Sequence, residues 1–338
     1  MLILENHPLL SHNSFAIDVK AKYFTSIQSI NEIAEVINKN KKGFNEQLLI
    51  LGGGSNLLFT KDYNGWVVKN DLKGIELIKE DENYLYIKAM AGENWHQFVI
   101  YCVDHNYVGV ENLSLIPGNI GASPMQNIGA YGVEIKDVFY ELEAFNIEDQ
   151  KLVTFNKNDC EFGYRESVFK TRLKNQFIIT SVCFQLPKKH NYNTSYGAIE
   201  KELELMNIST PTIKDISTAV IQIRQSKLPD PLKIGNAGSF FKNPVISQRK
   251  FDALKLAFPN IPSFPNSNLV KVPAGWLIEQ CGWKGYRKKD TGCYALQALV
   301  LVNYGKATGA EIFELSQEII DSVKTKFGIE LEREVNII

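Results

Sequence analysis

Leu115-Ile-Pro-Gly-Asn-Ile-Gly-Ala-Ser-Pro-Met-Gln-Asn-Ile-Gly-Ala-Tyr-Gly132 is the stretch around which the rest of the chain is read. No charged side chain occurs from Asn112 to Val133. Pro117, Pro124 and the glycines at 118, 121, 129 and 132 forbid a long regular helix. What remains is a folded loop dense in backbone N–H groups and small polar side chains. Such a loop can wrap a phosphate and an aromatic ring at van der Waals distance, because glycine lets a ligand approach the main chain. The plain alternative is a Gly/Pro-rich surface loop, but long loops without regular structure inside compact domains are usually functional or disordered. This one is too apolar to be disordered.

Upstream, Ser29-Ile-Asn-Glu32 has the pattern of a capping box, and Ile30, Ile33, Ala34 and Ile37 recur behind it at helical spacing. Leu48-Leu-Ile-Leu51 reads as a buried strand running into Gly52-Gly-Gly-Ser-Asn56. A phosphate often sits after a strand and a glycine turn. Leu57 stands where a dinucleotide fingerprint needs its third glycine, so a tight turn into a second strand at 57–59 fits equally well. Residues 84–89 alternate as a half-buried strand, and Trp95, Phe98, Val99, Cys102 and Val103 mark an amphipathic helix. Segments 138–145 and 177–186 read as strands, and 187–196 as a polar, turn-rich loop. Ile213, Ile216, Val220 and Ile223 build a helix carrying Arg224 in its last turn, with Lys227 after it. Helices follow around Phe251 and over 274–281, then a strand over 297–303, a last helix through Ile312 and Val323, and a tail strand over 331–338. Strands and helices mix without regular βαβ alternation, which makes the fold α+β.

The bulk composition removes several classes. At 338 residues the chain holds two or three domains. A net charge of −1 leaves no electrostatic footprint for nucleic acid or an anionic membrane surface. No apolar run is long enough for a signal peptide or a bilayer span. The five cysteines form no Cys-x-x-Cys pair and read as reduced thiols of a cytosolic protein. The histidines show no metal-ligand spacing, and His96, beside Trp95, reads as structural.

Four sets of residues can do chemistry. Ser239, in Gly235-Asn-Ala-Gly-Ser-Phe-Phe-Lys-Asn-Pro244, has no nucleophile elbow around it. It reads as a proton donor or ligand hydrogen bond, against the plain alternative of a turn serine. Arg165 lies amid aromatics in Phe162-Gly-Tyr-Arg-Glu-Ser167, as an ion-paired core residue or as a fixed charge facing an anion. Arg224 and Lys227 can hold phosphates or merely complement the helix dipole. Glu332 and Glu334 alternate with Arg333, so both carboxylates share one strand face.

Taken together, the order and spacing of these stretches resemble the UDP-N-acetylenolpyruvoylglucosamine reductases over nearly the whole chain. The shared motifs also include Ala91-Gly-Glu-Asn-Trp95, Lys227-Leu-Pro-Asp-Pro231 and 274–282. The resemblance implies a two-part FAD-binding module of the vanillyl-alcohol-oxidase type plus a third, α/β substrate-binding domain. The expected boundaries are 1–72 and 73–218 for the flavin subdomains, 219–325 for the substrate domain, and 326–338 for a tail returning to the site. It implies noncovalent FAD held by Gly52, Gly53, Gly54, Ser55 and Asn56, and by Ile116, Pro117, Gly118, Gly121, Ala122, Ser123, Gln126, Asn127, Gly129, Ala130, Tyr131 and Gly132. Ser239 matches the catalytic proton donor, with Arg165 and Glu334 beside it in the site. Tyr164, Tyr196, Arg224, Lys227, Asn243 and Gln297 match positions that hold the substrate and the nicotinamide nucleotide. Asn336 departs from the pattern, since relatives often carry arginine there. The implied reaction is NADPH-dependent reduction of UDP-N-acetylglucosamine enolpyruvate by a monomeric cytoplasmic enzyme. Hydride goes to C3 of the enolpyruvyl group, Arg165 faces the charge growing on its carboxylate, and Ser239 protonates C2. Two rivals are a flavin oxidase of small alcohols or hydroxy acids and a non-enzymatic nucleotide-sugar binder. The 52–56 turn lacks the tethering histidine common in the first, and a binder has no use for a proton donor.

Overall fold

The computed structural model describes residues 1–189, 192–266 and 268–338; His190 and Asn191 of the 187–196 loop lie outside the described residues. The chain packs as two units. The first comprises Met1–His7, Ala21–Gly53 and Asn64–Ser226, and the second Pro8–Lys20, Gly54–Tyr63 and Lys227–Ile338.

In the first unit, strand Leu48–Leu51 pairs in parallel with Tyr63–Asn70, Leu48 opposite Trp66. It is half-buried rather than fully buried, apart from Leu51. The preceding helix Ile30–Lys39 carries the expected capping box, with Ser29 Oγ accepting from the Glu32 amide and the Glu32 carboxylate accepting from the Ser29 amide. The larger sheet is antiparallel in the order Leu152–Asn156, Phe139–Asn146, Phe177–Pro187, Tyr84–Met90, Ile75–Glu80. Helix Trp95–Asp104 buries the five apolar positions that its sequence spacing marks. Phe98 lies 4.7 Å from Phe184 of the central strand, centroid to centroid, and Trp95 lies 5.7 Å from it. This aromatic wedge fixes the helix N-terminus, and with it the start of the 115–132 loop.

In the second unit, an antiparallel sheet runs Gly235–Ser239, Val300–Asn303, Thr291–Cys293, Arg287–Lys288. Helix Gly309–Phe327 packs on its middle strands. Thr308 and Glu311 form a capping box at its start, and Gly328, at φ 62°, ends it in the left-handed conformation. A three-stranded sheet and the helices Gln248–Ala257 and Ala274–Gln280 complete the unit.

The turn at 52–56 does lead into a second strand, Leu57–Leu58, which pairs in parallel with Asn336–Ile337 at the far end of the chain. Two expectations are corrected. The strand expected over 297–303 starts only at Val300, because Gln297, Ala298 and Leu299 form a turn in which the Val300 amide bonds back to the Gln297 carbonyl. The tail is not one continuous strand. It bridges Phe241 at Arg333, breaks, and forms the short strand Asn336–Ile337.

Candidate active site

The predicted residues fall into two sets, one in each unit. In the first unit the 115–132 loop is irregular apart from a 3-10 turn at Ile120–Ala122 and the strand Gly129–Ala130. Backbone bonds tie it down: Trp95 N to Gly118 O, Ile120 N to Glu93 O and Gly121 N to Ala91 O, at 3.0, 2.9 and 2.9 Å. A Cβ on Gly121 would stand 2.7 Å from that of Ala91, and one on Gly53 would stand 2.9 Å from Gly118 Cα. The glycine turn and the loop therefore meet main chain to main chain, which no larger residue permits. Leu115, Asn127 and Tyr131 adopt left-handed φ of 59°, 42° and 49°. Non-glycine residues hold that conformation only where their surroundings over-determine it, and such residues cluster at ligand sites.

Those surroundings are specific. Asn127 is fully buried; its amide donates to Glu134 Oε2 and Gly163 O, and its Oδ1 accepts from the Lys136 amide. Leu115 is gripped at both ends, its N–H donating to His96 Nδ1 (3.0 Å) and its carbonyl accepting from Arg224 Nε (3.3 Å). His96 thus presents an unprotonated Nδ1, and burial, then the Arg224 charge, pushes its pKa down. Buried Asn112 donates to both Tyr131 O and Asn193 O, at 2.9 and 2.8 Å. Tyr196 packs edge-on against Tyr131 at 5.5 Å. The Tyr131 phenol is pushed up by burial while the neighbouring Arg224 cation acts against it.

Arg165 sits at the tip of a tight turn closed by reciprocal bonds between Gly163 and Glu166, of 3.0 and 3.4 Å. It too is left-handed, at φ 55°. Its Nη2 donates to Gly129 O (2.7 Å) and its Nη1 to Asn127 O (3.3 Å), with the Tyr164 ring 5.7 Å from the guanidinium carbon. These two carbonyls orient the cation. Burial holds the Arg224 pKa below the ordinary arginine value, Tyr131 acts against it, and the Arg165 charge adds a smaller push in the same direction as burial. Two guanidinium groups, two tyrosines and an acid-free loop form a face suited to an anion with an aromatic part.

In the second unit, Ser239 ends a strand that is out of register between Asn236 and itself. Gly238 takes φ +70° there, and its N–H is held by Asn236 Oδ1 at 3.0 Å. A bulge of this kind re-aims the next side chain. Ser239 emerges exposed, beside buried Phe240 and Phe241. The tail runs along the same segment: Glu334 N donates to Phe240 O (2.8 Å) and Lys242 N to Glu332 O (2.9 Å). Glu334 therefore lies on the chain next to Ser239. Asn56 is held to the same tail, its Nδ2 donating to Glu334 O (3.3 Å) and its O accepting from Asn336 Nδ2 (2.9 Å) and N (3.1 Å). Asn243 Oδ1 accepts from the first amide of helix Ala274–Gln280, at 2.9 Å. Gln297 Oε1 lies 3.2 Å from where a Gly275 Cβ would stand, so both side chains flank that helix start. Lys227 is exposed.

An FAD diphosphate fits this donor set. Among the described residues, the amides of Gly53, Gly54 and Ser55 donate to no protein group, and the buried Ser14 Oγ, whose amide bonds to Gly54 O, has no partner. The 112–133 stretch of the first unit carries no acidic side chain. Sequence reasoning missed the roles of Asn112 and of His96 as clamps on the loop. Their only signal was position, Asn112 opening the uncharged window and His96 following the helix N-terminus.

Two family models match the chain: an FAD binding domain over residues 21–156 and the UDP-N-acetylenolpyruvoylglucosamine reductase C-terminal domain over 230–338. The chain is 53% identical to the UDP-N-acetylenolpyruvoylglucosamine reductase of Flavobacterium johnsoniae and 50% identical to that of Amoebophilus asiaticus, in each case over the whole of both chains. It is 43% identical to the enzyme of that name from Bacteroides fragilis over 99% of each chain. The crystal structure of the reductase from Thermus caldophilus superposes with a TM-score of 0.69 at 20% identity, covering 99% of this chain and 98% of the other. At that identity the superposition speaks for the fold.

Proposed function

The chain belongs to the UDP-N-acetylenolpyruvoylglucosamine reductase family, and from that premise we propose how its own residues carry the reaction. The enzyme is an FAD-dependent oxidoreductase that reduces UDP-N-acetylglucosamine enolpyruvate to UDP-N-acetylmuramate in peptidoglycan precursor synthesis, with NADPH as reductant. Gly52, Gly53, Gly54, Ser55, Asn56 and the 116–132 loop hold the FAD without a covalent link, the amides of Gly53, Gly54 and Ser55 being left unspent by their own fold. Bound FAD supplies a two-electron relay between NADPH and C3 of the enolpyruvyl group. Arg165 offers a fixed cation to the substrate carboxylate, where negative charge grows as C3 is reduced. Preorganised charge is worth most in a site poor in water. Ser239 Oγ delivers the proton to C2; the enolate is a strong base, so the hydroxyl needs no lowered pKa. Glu334 orients the carboxylate or a water. Arg224 and Lys227 hold the phosphates of each nucleotide in turn, and Tyr164, Tyr196, Asn243 and Gln297 complete the substrate contacts.

By role, residues 1–72 and 73–218 serve the flavin, 219–325 the substrate, and 326–338 return Glu334 to the site. We place the enzyme in the cytoplasm as a monomer; its five cysteines are all free, and no helix among the described residues is long and apolar enough to cross a membrane.

The observation that carries the site reading is the bulge at Gly238, which turns Ser239 outward one residue from the Phe240 carbonyl that receives the Glu334 amide. Single-turnover flavin absorbance in Ser239→Ala tests it. Bleaching by NADPH should stay near wild type, because no proton goes to carbon in that half. Recovery with the enolpyruvyl substrate should slow by roughly 10²–10⁴. Recovery at the wild-type rate removes Ser239 as the acid.

A further inference from the structure

The residue before Glu334 is bound more elaborately than an exposed tail requires. Arg333 lies half-buried against helix Gly309–Phe327. Its Nε donates to Ser316 Oγ (2.8 Å) and its Nη2 to Gln317 Oε1 (2.8 Å), with the guanidinium carbon 4.5 Å from the Phe313 ring centre. Positions 313, 316 and 317 are i, i+3 and i+4, a single helix face. The acceptors are already oriented. Ser316 is fully buried and spends its own proton on Phe313 O at 2.6 Å, which leaves a lone pair for Arg333. Gln317 spends its amide on Asp321 Oδ1 at 3.0 Å, which decides the end that meets the guanidinium. Only a planar fork satisfies both directions, so lysine cannot replace it.

The main-chain bonds Lys242 N to Glu332 O and Glu334 N to Phe240 O set the level at which 332–334 lies along 240–242, and Arg333, the residue between them, bridges Phe241. The other side-chain restraints are weaker or lie to either side. Glu332 pairs with Lys242, but its carboxylate is mostly exposed, and exposed pairs contribute little. Leu331 and Val335 are buried and hold the tail to its unit. The Arg333 side chain ties the middle of this pairing to the helix.

Resting on the reading of Glu334 as an active-site carboxyl, we propose that Arg333 is a positioning residue for the reduction. Its grip on Phe313, Ser316 and Gln317 holds the tail firmly in its main-chain register, and so steadies the placement of Glu334 relative to Ser239. An ångström of misplacement at reacting groups costs up to about 10²-fold.

The test compares Arg333→Leu and Arg333→Lys in the wild-type and Glu334→Gln backgrounds, with rates normalised to bound flavin. Reduction by NADPH should stay within about twofold of wild type, while recovery with enolpyruvyl substrate slows roughly 10–10²-fold in both variants. In the Glu334→Gln background the same substitutions should add no further loss. In flavin-free protein, hydrogen exchange at the Lys242 and Glu334 amides should quicken. Wild-type recovery in a folded Arg333 variant, or a loss that simply adds to that of Glu334→Gln, overturns the proposal. If Arg333→Leu does not fold, Ser316→Ala removes one acceptor alone; it must reproduce the selective slowing, and an unchanged recovery there overturns the proposal too. Glu334→Gln that recovers at the wild-type rate is a separate failure, of the site reading itself, and takes this proposal with it.

Discussion

Arg165 shows how a single residue's neighbours decide between two sequence readings. Its composition context allowed a core ion pair or a charge facing a ligand. Its strained backbone and its bonds to the carbonyls of Gly129 and Asn127, which orient the guanidinium, favour the second. Arg165→Ala should stay folded and yellow, with stability within about 1–2 kcal/mol of wild type. Recovery of reduced flavin by substrate should slow by about 10²–10³. A thermal melt and a stopped-flow trace check both halves, and turnover within a few fold of wild type would return Arg165 to a structural role.

The clamp joining helix Trp95–Asp104, the loop and helix Ile213–Lys227 can be read through pH. His96 must be neutral at Nδ1 to accept from Leu115. Its folded pKa lies below the ordinary value of 6.5, so the unfolded chain takes the proton first as pH falls. The stabilisation is whole above pH 6.5 and shrinks as pH drops below it toward the folded pKa. Melting temperature should therefore decline from pH 7 to below 6 in the wild type, with a shallower decline in His96→Gln. Equal slopes would mean that His96 does not carry this linkage. The elements most legible in the sequence are those whose signals are local. The Ser29–Glu32 capping box and the Trp95 to Val103 spacing each placed a helix start or face, because both partners lie within a few residues. Less legible were Leu57–Leu58, whose partner is the far end of the chain, and the turn at Gln297, which an apolar run disguised as strand. Register between remote segments leaves no periodic trace. Ser239 could be singled out from its neighbours, whereas the proximity of Glu334 came only from the family resemblance, since no local signal links the two.

At the scale of the whole molecule, the net charge of −1 supplies no general field to draw in an anion, so attraction rests on a few placed cations. On the proposed reading the same few, Arg224 and Lys227, serve NADPH and the nucleotide sugar alike. Initial-rate measurements should give parallel ping-pong lines with inhibition at high substrate, because substrate on the oxidised enzyme blocks NADPH. Intersecting lines without inhibition would require separate sites.

The second unit draws on residues 8–20 and 54–63 as well as on the last third of the chain, and Asn56 waits for a partner 280 residues later. During synthesis at 5–20 residues per second, that wait is roughly 15–60 s. Through it, the strand-forming Leu57 and Leu58 leave the ribosome with a bare edge, while the intervening 64–226 belongs to the other unit. Completion of the link between the 52–56 turn and the tail therefore waits on translation rather than on the speed of folding. During that interval the short apolar strand is open to pairing with another chain.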